Sequence, residues 1–232
     1  MPDSLVNSPI FGVALTVILF YLGEKLSAYL KTSLLPALFT SSLVIILLIV
    51  FTNLFTYEQY DKGGTLLNFM MGPSIVALAL PLKKNWEVLK SNLAILLTTT
   101  IFGALLAVFT NVYCAKLFGV SDVSILSLIP KSVTAPIAME LSDYVGGIPP
   151  LTILAVGVAG IFGALFGHKL LKLMGVTNDI AIGFAIGTGS HALGTSTCIS
   201  ISSKQTTFSS LALVLMSITT TLLVPILLPF LK

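Results

Sequence analysis

Pro130–Lys131–Ser132–Val133–Thr134–Ala135–Pro136 and Gly187–Thr188–Gly189–Ser190–His191–Ala192–Leu193–Gly194–Thr195 are polar, helix-breaking stretches inside long apolar runs. A third, Met71–Gly72–Pro73–Ser74, interrupts another such run. Unwound backbone and ionisable groups at membrane depth are costly unless they line a cavity. The interruptions therefore point to a path for a polar solute, not to a simple anchor. They decide the fold class: an all-α polytopic membrane protein of about seven transmembrane helices, with discontinuous helices and a re-entrant hairpin.

Composition supports the class. The 232 residues are 56% hydrophobic and 9% charged, with mean hydropathy +1.04. A soluble domain carries roughly 25% charge. No polar stretch is long enough to fold separately, so residues 1–232 read as one membrane domain. The net charge is +3 and every basic residue is Lys. The lysines sit in short loops and form no stripe, which argues against nucleic acid. Cys114 and Cys198 lack CxxC spacing and read as unpaired membrane thiols. The first apolar run follows Asp3 and lacks the basic start and cleavage site of a signal peptide.

The expected spans are Ile10–Leu22 (able to run on to Leu30), Leu34–Phe55, Leu66–Leu82, Leu93–Phe118, Leu151–Leu171, Ile180–Ile201 and Phe208–Leu231. Lysine placement puts the segments with Lys25 and Lys31, with Lys83, Lys84 and Lys90, and with Lys169 and Lys172 in the cytoplasm. The N-terminus and the loop Asn53–Gly64 then face outward. Gly119–Asp122 and the start of Leu151–Leu171 fall on that same side. Val123–Tyr144 therefore reads as a re-entrant hairpin, with arms Ser124–Ile129 and Val133–Leu141 and Pro130–Lys131–Ser132 at its tip. The alternative is a full crossing that breaks the lysine rule once. Phe69–Leu78 resembles Phe184–Leu193, a hint of internal repetition of the kind that marks transporter binding sites.

Lys131 lies between two prolines that remove backbone donors and open the chain. Ser132 and Thr134 then offer hydroxyls, and a new helix offers free amides, beside a full positive charge. That combination suits a carboxylate; the plainer reading is a snorkelling lysine. His191 sits among glycines that allow close backbone approach, with hydroxyls from Ser190 and Thr195 able to replace water. Its titration near neutrality would permit proton coupling; the plainer reading is a neutral histidine bonded to a neighbouring helix. Gly72, Pro73 and Ser74 would start a half-helix pointing at the midplane, or simply kink the third span. Glu140 could pair with Lys131 in the empty state, or lie solvated at the interface. Gly157, Gly160, Gly163 and Gly167 form a small-residue packing face. Trp86, Tyr57 and Tyr60 read as interface anchors. No metal site is expected: besides His191 the only histidine is His168, which lies on a cytoplasmic helix end beside Lys169 and Lys172. No hydrolase motif is present, and a Ser190 or Ser132 pairing with His191 has nothing to mark a nucleophile. The chain does not read as an enzyme, and no cofactor is expected.

At these residues the chain resembles the LrgB/CidB family of bacterial membrane proteins. The resemblance rests on Lys62–Gly63–Gly64, Gly72 to Lys83, Leu128 to Glu140, Gly146–Gly147, Ala185 to Thr195 and Phe208 to Ala212, in family order and at family length. Asn7 to Gly12 looks closer to the LrgB side. After Thr195 the family's acidic residues are missing; the run is Ser196 to Gln205 with Lys204. The resemblance implies a multi-pass protein of the bacterial cell membrane, embedded in the lipid bilayer, oligomeric, and working with a small LrgA/CidA-type partner. It implies two functions: transport of a small monocarboxylate such as pyruvate, glycolate or lactate, and antiholin-like regulation of murein hydrolase export and autolysis. A carboxylate path would use Lys131, Ser132, Thr134, Ser190, His191, Thr195, Gly72, Pro73 and Ser74.

Overall fold

The computed structural model describes residues 6–30, 37–52, 54–70, 73, 76, 77 and 79–231. The chain forms two compact units, residues 1–74 and 75–232. No strand occurs among the described residues.

The first unit holds α1 (Pro9–Leu30), α2 (Ala37–Thr52) and α3 (Tyr57–Phe69). The first span does run on to Leu30. The outward loop expected over Asn53–Gly64 is instead largely helical. Thr56 and Gln59 form a reciprocal capping box that starts α3 at Tyr57, satisfying two free amides at once. Two glycines then let α3 approach α1: a Cβ on Gly63 would lie 2.6 Å from the Gly12 Cα. Thr16 and Tyr60 hydroxyls meet at 2.9 Å across the same contact. The expected third span, Leu66–Leu82, takes in the end of α3 and the start of α4 (Ala79–Lys84). Gly72, Ser74 and most of the repeat at 69–78 lie outside the described residues.

The second unit continues with α5 (Trp86–Ser91), α6 (Leu93–Leu117), α7 (Asp122–Leu128), a 3-10 turn (Ile129–Ser132), α8 (Ala135–Val145), α9 (Pro149–Leu173), α10 (Asp179–Ile199) and α11 (Ser203–Leu231). Among the described residues, α1, α6, α9 and α11 are long and apolar enough to cross a membrane. Apolar clusters fix their directions. Leu96, early in α6, packs with Phe208 and Leu211, early in α11. Val108 and Val112, later in α6, pack with Val224, late in α11. So α6 and α11 run the same way. α9 runs opposite: Thr152 at its start meets Ser127, whereas His168 near its end meets Gln205 at the start of α11.

The re-entrant hairpin is present. α7 and α8 form its arms and the 3-10 turn carrying Lys131 forms its tip. Ile125, Ile129, Leu141 and Val145 pack both arms against the later half of α6. Gly146 ends α8 at φ 83°, a left-handed cap that glycine adopts without strain.

Ile180–Ile201 is not a crossing. The polar break expected within a span is the tip of a second hairpin. His191 has φ 49° and ψ −135°, and it is the only described non-glycine residue with positive φ. The chain reverses there. Ser202 donates to Asp179 at 2.7 Å although a straight helix would hold them roughly 30 Å apart. A Cβ on Gly194 would lie 2.9 Å from Ile186, eight residues earlier. The physical reason is the small residues: Gly183 and Gly187 seat the first arm on the α11 backbone at Gln205 and Ser209, where any Cβ would collide.

The second unit therefore contains a helix followed by a hairpin twice, in opposite senses: α6 with α7–α8, then α9 with α10. This repeat differs from the one the sequence suggested. Lys83, Lys84, Lys90, Lys169, Lys172 and Lys204 gather at the end where α6 and α11 begin. By the lysine rule that end is cytoplasmic. The first hairpin then enters from outside and the second from the cytoplasm.

Candidate functional site

The two tips meet. Lys131 and Ser132 of the first hairpin and Gly189 and Ser190 of the second line one cavity of about 770 Å³. Its other wall is α9, which contributes Gly163. The Ser132 backbone lies beside the His191 ring. The depth follows from α11. Gly187 and Thr195 both meet Ser209, six residues into that 29-residue helix. The tip at His191 lies four residues further, about 6 Å deeper, near the helix midpoint.

Each tip is fastened at its root. In the first hairpin, the Ser127 hydroxyl donates to the Val123 carbonyl (2.8 Å) and accepts from the Ile148 amide (2.7 Å). The Thr152 hydroxyl donates to the Ser127 carbonyl (2.8 Å) and lies 2.7 Å from the Ser142 hydroxyl. Ser127, Ser142 and Thr152 are fully buried. In the second hairpin, Gln205 donates to Asp179 (2.8 Å) and Ser202 donates to its other oxygen (2.7 Å). The His168 ring N–H donates to Gln205 Oε1 at 3.0 Å. Hydrogen bonds from Gln205 and then Ser202 hold the Asp179 carboxyl below the ordinary aspartate range.

The cavity walls are mainly apolar, with Leu154, Val158 and Phe162 of α9 facing the polar tips, and the buried polar groups near the tips are incompletely bonded. His191 is 3% exposed; its ring lies within reach of the Ser132 backbone, but neither ring nitrogen makes a well-aligned hydrogen bond. The buried Thr134 hydroxyl has none either. Thr134 caps α8 without a side-chain bond to it, and Pro136 in the first turn brings no amide. The buried Thr220 hydroxyl of α11 is also unpartnered. Buried polar atoms are almost always bonded, which sets Thr134 and His191 apart from the fully bonded hairpin roots. The His191 backbone conformation costs about 1–3 kcal/mol and is held by the packing around it.

The candidate residues separate under the structure. Lys131, Ser132 and Ser190 share the cavity, with His191 and Thr134 buried next to them. Thr195 is turned toward α11, its hydroxyl 2.6 Å from that of Ser209. Pro73 is exposed, and Gly72 and Ser74 lie outside the described residues. Lys131 and Glu140 do not pair; they face different cavities. The glycine face on α9 packs within the chain: Gly160 against Leu193, Gly163 against Ser190, Gly167 against Ile186. Sequence reading missed both root networks and Thr220. The spacing of Asp179 from Gln205 carries no signal until the chain is seen to fold back.

The model of the LrgB-like family matches residues 16–230. "Holin-like protein CidB" of Staphylococcus epidermidis is 34% identical over 219 residues, covering 93% of each chain. "Holin-like protein CidB" of Staphylococcus aureus is 33% identical over 216 residues, again 93% of each. YxaC of Bacillus subtilis is 32% identical over 185 residues, 80% of each. No solved structure matches. A family model covering nearly the whole chain, with relatives matched end to end, makes this multi-pass bacterial membrane protein a member of the LrgB-like family.

Proposed function

We propose that the chain carries small monocarboxylates of the pyruvate, glycolate and lactate class across the bacterial membrane, acting with a small LrgA/CidA-type membrane protein. The observation that carries this reading is the meeting of two oppositely directed hairpin tips on one cavity, lined by Lys131 and Ser132 of the first and Gly189 and Ser190 of the second, with His191 buried beside them.

The chemistry follows from charge. Lys131 is half-buried at the tip, and a lysine at membrane depth is costly without a counter-ion. A bound carboxylate neutralises it, and Ser132, Thr134 and Ser190 can bond its oxygens. His191 can bond a neighbouring oxygen through either ring nitrogen. The loaded site is close to neutral, so closing it around the guest is less costly than closing it empty. This links occupancy to closure. Two hairpins entering from opposite faces supply two gates for that exchange. The cavity, about 770 Å³, is far larger than an acid of a few heavy atoms, which fits a path better than a tight pocket.

The test is uptake of labelled pyruvate, glycolate and lactate into vesicles holding the chain, with and without the LrgA/CidA-type protein. Saturable flux that disappears in Lys131→Ala and His191→Ala is expected. Normal flux in both variants would remove the site assignment. The relatives named holin-like favour a second reading: regulation of murein hydrolase export and autolysis, as an antiholin-like protein. Changed autolysis on deletion, with no carboxylate flux in vesicles, would select it.

A further inference from the structure

A second cavity, of about 550 Å³, lies between α8 and α11, away from the hairpin tips. It is a trough for a helix. α8 presents Ile137, Glu140, Leu141 and Tyr144, and α11 presents positions 218, 221, 222 and 225. Both stripes follow the i, i+3, i+4, i+7 spacing that receives a third helix. Its large apolar residues are exposed, Leu222 at 64% and Ile218 at 46%.

One group is out of place there. Glu140 is exposed and has no ion pair or hydrogen bond among the described residues. It sits midway along its stripe, opposite the region of Thr221. That residue lies four positions, or about 6 Å, from the midpoint of α11. A carboxylate at hydrocarbon depth needs a cation or a strong donor. A second copy of this chain does not supply one. Among the described membrane-long helices, Lys25 is five residues from the end of α1, Lys169 is four from the end of α9, and Lys116, Lys172 and Lys204 lie in terminal turns. Lys131 faces its own cavity.

We infer that the α8–α11 trough docks a transmembrane helix of a different polypeptide, one whose apolar stretch carries a single Lys or Arg that pairs with Glu140. The inference rests on the proposed partnership with a small membrane protein and assigns its contact surface. The occupant lies directly against α8, the returning arm of the hairpin whose tip holds Lys131. Docking would thereby set the position of that tip.

The test uses the full chain co-expressed with a tagged LrgA/CidA-type protein from the same bacterium. Glu140→Lys and Leu222→Trp should each lower recovery of the pair from membranes at least tenfold, at unchanged abundance of the chain. Leu106→Trp, on an exposed face of α6, should leave recovery intact. Exchanging the partner's intramembrane Lys or Arg for Glu should restore pairing with Glu140→Lys. A Leu222→Cys chain should cross-link to the partner's helix. Wild-type recovery of both trough variants overturns the trough while the partnership stands. Cross-linking of Leu222→Cys only to another copy, only to the first unit of the same chain, or to nothing but lipid overturns it too. If the wild-type pair is never recovered together, the partnership itself falls, and the trough assignment with it.

Discussion

The two hairpins carry similar tips on different roots. The first is fastened by neutral hydroxyls buried completely: Ser127, Ser142 and Thr152. The second is fastened by a carboxylate, an amide and an imidazole at the lysine-rich end: Asp179, Gln205 and His168. Their turns differ as well. The first reverses through a proline-containing 3-10 turn with ordinary backbone angles, the second through one strained residue, His191. The difference teaches where the constraint on each tip lies. A neutral, dry root is indifferent to pH. An ionised root at an aqueous end is not, and a single strained residue is held only while its packing lasts.

The largest effect should come from the charge that only the first tip carries. Lys131→Ala should reduce saturable carboxylate uptake about 10- to 100-fold, the worth of one charge-assisted hydrogen bond. Lys131→Arg should keep part of the flux, because the charge survives. Uptake into vesicles at a fixed substrate concentration measures both. Equal flux in Lys131→Ala and wild type would place the guest at the second tip alone.

Next comes the packing that positions the second tip. Gly163→Ala would drive a methyl group into Ser190, whereas Gly157 on the same helix faces open space. The first change should destabilise by about 1–3 kcal/mol through overpacking. The second should be neutral or gain up to about 1 kcal/mol from helix propensity. Thermal unfolding in detergent separates them. A matched effect at both sites would mean that α9 does not hold this hairpin.

The tip strain gives a smaller and more selective effect. His191→Gly removes the ring but relieves the positive φ, while His191→Ala removes the ring and keeps the strain. Both should lose uptake, with His191→Gly about 1 kcal/mol more stable in the same melt. Retained uptake in His191→Gly would show that the backbone turn, not the imidazole, serves the guest.

The smallest expected effect is the pH response that distinguishes the roots. The Asp179 carboxyl is held below its ordinary value, so its contribution is present above the unfolded pKa and lost as pH falls through the folded one. The His168 ring N–H donates to Gln205 Oε1, and Lys204 is the neighbouring cation. Acidification to below about pH 4 should loosen the second root. Cys198 is buried 3.9 Å from His168 and reports this opening. Its labelling rate should rise in acid, and Asp179→Asn should raise it at neutral pH and flatten the dependence. Cys114, already exposed, should label independently of Asp179.

Much of this fold is legible in the chain, and the illegible part has a common cause. Leu93–Phe118 and Leu151–Leu171 match α6 and α9 within two residues at each end, because uninterrupted apolar length is a local property. The first hairpin was legible because two prolines and a lysine rule agree. The second was not. Its length suits a span, and nothing in a window of sequence distinguishes a broken helix that continues from one that returns. α3 was misread because its polar residues look like a loop, although Thr56 and Gln59 carry the capping signal. Thr195 looked like a site residue because it shares a motif with His191, yet it lies on the arm that faces α11.

By itself, the sequence determined that the chain belongs in a bilayer, that it is helical, where its backbone must open and which groups there can meet an anion. These follow from hydrophobic length, proline geometry and side-chain chemistry, all of which act over a few residues. Tertiary structure alone decided that the Gly187–Thr195 break is a reversal, that Lys131 and His191 approach from opposite faces, and that Glu140 is parted from Lys131. The reversal at the second break depends on close contacts of Gly163, Gly183 and Gly187 with residues distant in the chain, and the parting of Glu140 from Lys131 on the two faces of the first hairpin. A missing side chain reveals its purpose only through the neighbour that occupies its place.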